Sequence, residues 1–173
     1  DAKKCAELFQ QERDHIDGVI VILPNFGDEL GVVQTLDLAK LDVPVLVQAC
    51  ADRLDAVDVS ARRDAFCGKL SVCNNLYQYS IPFTNTSLHT YAIDSAEFAA
   101  DLDFFMRVCR VVNGLRNARV GAIGARPAAF NTVRYSEKLL QAYGITVSTI
   151  DLSEVLGAAN RLSQDDVRVT ERL

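Results

Sequence analysis

Two uninterrupted apolar runs constrain this chain more than any other feature: Gly18 to Pro24 (GVIVILP) and Val43 to Gln48 (VPVLVQ). Both are rich in β-branched residues, which suit extended backbone, and neither alternates apolar with polar, as expected of strands covered on both faces. Between them, Leu30 to Lys40 sets Leu30, Val33, Leu36, Leu38 and Ala39 largely on one helical stripe. That helix supplies the crossover that two neighbouring parallel strands require.

The same grammar continues along the chain. The opening residues carry Ala6, Leu8 and Phe9 at amphipathic spacing and predict a helix feeding the first run. Ala61 to Tyr79 returns to helical spacing with Phe66, Leu70, Cys73, Leu76 and Tyr77, until Ile81-Pro82-Phe83 breaks it. A short strand is expected at Leu88 to Ile93. Ser95 then caps a long helix whose stripe of Phe98, Leu102, Phe105, Met106, Cys109 and Val112 runs to Gly114. After Arg116 the pattern restarts with a strand at Arg119 to Ile123, a helix at Phe130 to Tyr143, Gly144 as its stop, a strand at Thr146 to Ile150, and Asp151 with Ser153 opening another helix.

The fold class expected is α/β, with doubly wound parallel sheets of flavodoxin or Rossmann type in two incomplete domains. Residues 1–115 form the first domain with its long connecting helix, and residues 116–173 begin the second. The chain opens DAKKCAELF without an initiator Met or signal-peptide pattern and stops at DDVRVTERL before any helix stop or closing strand. The expectation is a piece of a longer polypeptide, with a first strand before residue 1.

Composition narrows the partners. With 49% hydrophobic and 24% charged residues and no apolar run near the roughly 20 residues needed to cross a bilayer, the chain is expected to be neither membrane-spanning nor disordered. A formal charge of -5 with scattered Lys and Arg leaves no footprint for nucleic acid. The 5 cysteines (Cys5, Cys50, Cys67, Cys73, Cys109) are odd in number and irregularly spaced, which reads as reduced thiols in a cytoplasmic protein. His15 and His89 belong to no ligand spacing, so no metal site is expected within the chain. His89 reads as a strand-end hydrogen bonder.

In open parallel sheets ligands gather beyond the carboxyl ends of the strands, which directs attention to PNFGDE (24–29), QACADR (48–53) and GARPAAFN (124–131). Phe26 either packs under its own loop or is offered to a ligand. Arg126 either serves a structural ion pair or presents its planar fork to a hydroxyl-rich or anionic group, with Asn131 and Thr132 capping the helix that follows. The full G-x-G-x-x-G is absent, although Asp151 stands where a ribose-binding acid would. Spacing alone assigns no acid/base pair, nucleophile elbow or P-loop.

The segments DGVIVILPNFGD, FCGKLSVCNNLYQYSIPF with HTYAID, and VGAIGARPAAFNTVRYSEKLLQAYGITVSTIDLSEVLG resemble, in order, the amino-terminal and middle domains of the L-fucose isomerase-like proteins, related to L-arabinose isomerase. The resemblance implies a fragment of a metal-dependent aldose–ketose isomerase of carbohydrate metabolism. It implies Mn²⁺ held by ligands outside this chain, and a homo-oligomer whose substrate sites lie at subunit interfaces. The fragment alone is expected to be inactive. No catalytic residue is implied here, but small-molecule sugar contacts are: Phe26 matches the aromatic after the strand, Lys69 lies in the glycine-bearing segment, and Arg126, Pro127 and Asn131 fall in the middle-domain loop. GARP replaces the GDNM-like turn of arabinose isomerases, which leaves the sugar open and admits deoxy or sulfonated ones. Two other readings stand beside it: a non-catalytic sugar- or effector-binding α/β module, and a dinucleotide-binding oxidoreductase domain.

Overall fold

In the computed structural model, which describes residues 1–163 and 165–171, both apolar runs are strands. β1 (Val19–Leu23) and β2 (Val45–Ala49) pair in parallel from Val19 opposite Val45 to Leu23 opposite Ala49. A two-residue β3 (Thr84–Asn85) pairs with the other edge of β2, giving the order β1-β2-β3. Helices α1 (Ala2–Gln11), α2 (Glu29–Ala39) and α3 (Ala65–Gln78) alternate with these strands, and α4 (Ala96–Arg116) follows. The chain divides into two compact units, Asp1–Asn113 and Gly114–Leu173.

The two-residue period of β2 sorts its side chains onto two cores. Val45, Val47 and Ala49 join Leu23, Val33 of α2 and Ala65, Val72 and Leu76 of α3. Leu46 faces the other way and joins Tyr91 with Phe98, Phe105 and Cys109 of α4. Helices therefore cover both faces, the doubly wound α/β arrangement. Gly18 permits the approach of α4, since a Cβ there would lie 2.5 Å from Cys109 Sγ and 3.1 Å from the Phe105 ring. A third cluster of Ala6, Ala39 and Leu41 seats α1 against α2.

Coverage on both faces holds for β2, whose five residues are all buried, but not for β1. Val19 and Val21 pack on the first core, whereas Ile20 and Ile22 are 37% and 46% exposed. β1 is the edge of its sheet, and the second core is built on Leu46 of its neighbour. Periodicity registers how apolar a strand is, not how far an overlying helix extends.

Side-chain caps set the other boundaries. Asp28 Oδ1 accepts from Gly31 N at 3.0 Å to start α2, and Lys40 closes it in the left-handed region with φ 45°. The helix expected from Ala61 starts at Ala65, because Asp52 Oδ1 accepts from Arg63 N and Asp64 N at 2.7 and 3.2 Å and holds that segment in a loop. The strand expected at Leu88 to Ile93 does not form, and pairing with β2 is made by Thr84 and Asn85 instead. No helix among the described residues is long and apolar enough to cross a membrane.

The second unit pairs β4 (Arg119–Ile123) in parallel with β5 (Thr146–Ile150). The helix expected from Phe130 starts later: Asn131–Val133 is a 3₁₀ turn, and α5 spans Glu137–Ala142. Ser136 is the cap, its Oγ accepting from Leu139 N at 3.3 Å, so Asn131 and Thr132 do not cap α5. Gly144 has φ 80°, and a Cβ there would stand 1.9 Å from Arg116 O. Asp151 caps α6 (Leu152–Ala159) and Asp166 caps the short α7 (Val167–Thr170).

Candidate functional site at the carboxyl ends of the first sheet

β1 ends into the turn carrying Phe26. Asn25 Nδ2 donates to Phe26 O at 2.8 Å, and Phe26 N donates to Arg63 O at 2.7 Å, which ties this turn to the loop after β2. Gly68 brings α3 against the same turn, since a Cβ on it would lie 3.2 Å from Phe26 Cα. The backbone of Phe26 is thus held from two sides while the residue as a whole is 51% exposed.

One helical residue further on, Lys69 is 4% exposed. Its Nζ donates to Thr86 Oγ1 at 2.8 Å and to His89 O at 3.2 Å, and Thr86 Oγ1 donates onward to Leu88 O at 2.8 Å. Burial lowers the Lys69 pKa, opposed by Cys73 and by the Asp101 carboxylate. Asp101 of α4 accepts from Ser87 N at 2.7 Å, from Ser87 Oγ at 3.1 Å and from Tyr91 Oη. Burial disfavours its ionised form, but the bonds from Tyr91 and Ser87, with the Lys69 charge, more than offset this and hold the carboxyl below the ordinary Asp range. Tyr91 is pushed up by burial and by its bond to Asp101.

From beneath, Gln48 Nε2 donates to Tyr91 O at 2.9 Å. Its Oε1 is buried without a hydrogen-bond partner among the described residues. On the outer side the Phe66 and His89 rings meet with centroids 5.1 Å apart at 35°. Burial raises the Cys73 pKa against the opposing Lys69 charge, so this cysteine stands as a thiol rather than a nucleophilic thiolate.

Phe26 and Lys69 therefore gather at one end of the first sheet. Arg126, Pro127 and Asn131 belong to the loop after β4 of the second unit, and all three are exposed or part-exposed. Arg126 donates from one guanidinium nitrogen to Pro127 O at 3.0 Å and Ala128 O at 2.7 Å, curling onto its own loop. Thr86, Ser87, Tyr91 and Asp101 went unread in the sequence, because their contacts join β3, an irregular loop and α4 without a fixed spacing. Gln48 alone left a sign, as the polar residue ending an apolar run. Among the described residues no group of three or more His, Cys, Asp or Glu is placed to hold a metal ion.

A doubly wound parallel sheet with a polar network at the carboxyl ends of its strands defines an α/β domain. The family model of the fucose/sulfoquinovose isomerase N-terminal domain matches residues 1–116, and the chain belongs to that family of isomerases. No curated protein matches the chain.

Proposed function

We propose that this chain is the amino-terminal part of a cytoplasmic aldose–ketose isomerase for a deoxy or sulfonated sugar, and that it lends substrate contacts to a site completed elsewhere. The observation that carries the reading is the family match over residues 1–116, which spans every element that builds the Phe26 edge. Phe26 offers an apolar ring against the C–H face of a sugar. Lys69, with its amine committed to Thr86 and the His89 carbonyl, holds the adjoining loop. Arg126 is the group with the chemistry for a sulfonate or a pair of hydroxyls, through exchange of its own loop carbonyls for substrate oxygens.

An ion such as Mn²⁺ would take its ligands from residues outside this chain. The sites then lie between subunits of a homo-oligomer, and no proton or hydride step is assigned to a residue here. The test is an isomerase assay with added Mn²⁺ on L-fucose, L-arabinose and sulfoquinovose. The complete polypeptide turns over one of them and this chain alone turns over none. Turnover by the chain alone would refute the assignment of the chemistry elsewhere, and a saturable calorimetric signal with one sugar would favour the sugar-sensing reading.

A further inference from the structure

The buried polar side chains among the described residues are Gln48, Lys69 and Thr86, and all of them act on one short loop. Lys69 holds Thr86 Oγ1 and the His89 carbonyl, Thr86 holds the Leu88 carbonyl, and Gln48 holds the Tyr91 carbonyl. From α4, Asp101 adds Ser87 and Tyr91. These placements are costly: a lysine out of water loses solvation, and the Gln48 carbonyl oxygen is left without a donor among the described residues. A connection that merely returned the chain from β3 to α4 would need none of this. Among the exposed side chains of this loop, His89 is backed by the Phe66 ring at 5.1 Å, at the same end of the sheet as Phe26.

We infer that His89 is a second sugar-contacting residue of this edge, hydrogen-bonding a substrate hydroxyl, and that Lys69, Thr86 and Gln48 are positioning residues that fix its backbone. An imidazole suits the task because it donates from one nitrogen and accepts at the other, as a hydroxyl does. Phe66 restricts the ring so that little rotamer freedom is lost on contact. The inference rests on the proposed sugar-isomerase reading and adds residues to it.

The test follows the Phe26, Phe66 and His89 ring resonances of the 173-residue chain by NMR during separate titrations with L-fucose and with sulfoquinovose, a method that registers contacts too weak for calorimetry. All three rings shift together with at least one sugar. His89→Ala abolishes the shift at Phe66 with unchanged thermal unfolding. Thr86→Val weakens the His89 response while Thr86→Ser restores it, a rescue that loss of packing alone would not produce. A shift at Phe26 with none at His89 or Phe66, or a Phe66 shift undiminished in His89→Ala, overturns the inference and leaves the proposed function standing. Silence at all three rings likewise overturns the inference, while the proposed function, whose site is completed elsewhere, is decided by its own turnover assay.

Discussion

The two units use the same local grammar and reach different ends. Each pairs parallel strands of five residues through a helix, with side-chain caps and left-handed turn residues where the backbone needs them. Yet the first unit builds three buried clusters, while no described residue from Gly114 onward is buried. Val120, Ile123, Leu139 and Leu156 all stand exposed. Caps and turns decide where elements begin and end, but a core needs a strand with neighbours on both edges and helices on both faces. β2 has them, and neither β4 nor β5 does.

This contrast is open to direct attack. The largest expected effect is Leu76→Ala, which removes a fully buried side chain from the first core and costs about 2–5 kcal/mol, read by urea unfolding of the first unit. A loss well under 1 kcal/mol would break the claim that this unit holds the stability of the chain. Next, Gly18→Ala drives a methyl against Cys109 and Phe105 and costs about 1–3 kcal/mol of the same transition. Ile150→Ala in the second unit costs less than about 1 kcal/mol, since its side chain is already exposed, and amides of β4 and β5 exchange faster than those of β2.

A smaller effect sharpens the polar side of the comparison. The folded pKa of Asp101 lies below its unfolded value of about 3.9. Its contribution to stability is therefore fully present above that value and is lost as pH falls through the lowered folded pKa. Asp101→Asn flattens the acid limb of the first unit's stability curve, measured by unfolding between neutral and acid pH. An acid limb identical to that of the parent would remove Asp101 from the loop-holding role.

Much of the fold was legible, and for a physical reason. β1, β2, β4 and β5 declare themselves through β-branched runs, α2 through its stripe, and α4 through Ser95, whose Oγ accepts from Phe98 N at 3.2 Å. The failures cluster where side chains from distant elements decide local structure. Leu88 to Ile93 has strand-like content, but Lys69, Gln48 and Asp101 claim its polar groups for a loop. Asn131 and Thr132 are good capping types, yet Ser136 performs the task. The exposed Ile20 and Ile22 follow from which strand sits at the edge, a property of topology that no single segment encodes. The candidate site was half legible: Phe26 by its position after a strand, Lys69 only through resemblance, and the loop network not at all.

The proposed reading makes the Phe26 edge a substrate-facing surface, and sugar-isomerase kinetics of Phe26→Ala in the longer polypeptide proposed above put it to the test. The residue is exposed and its backbone is held by Arg63 and Gly68, so the substitution leaves folding intact. The expected outcome is an unchanged melting temperature with kcat/KM lowered about tenfold, the loss that goes with one apolar contact of roughly 1.4 kcal/mol. An unchanged kcat/KM on the sugar the enzyme turns over would contradict it.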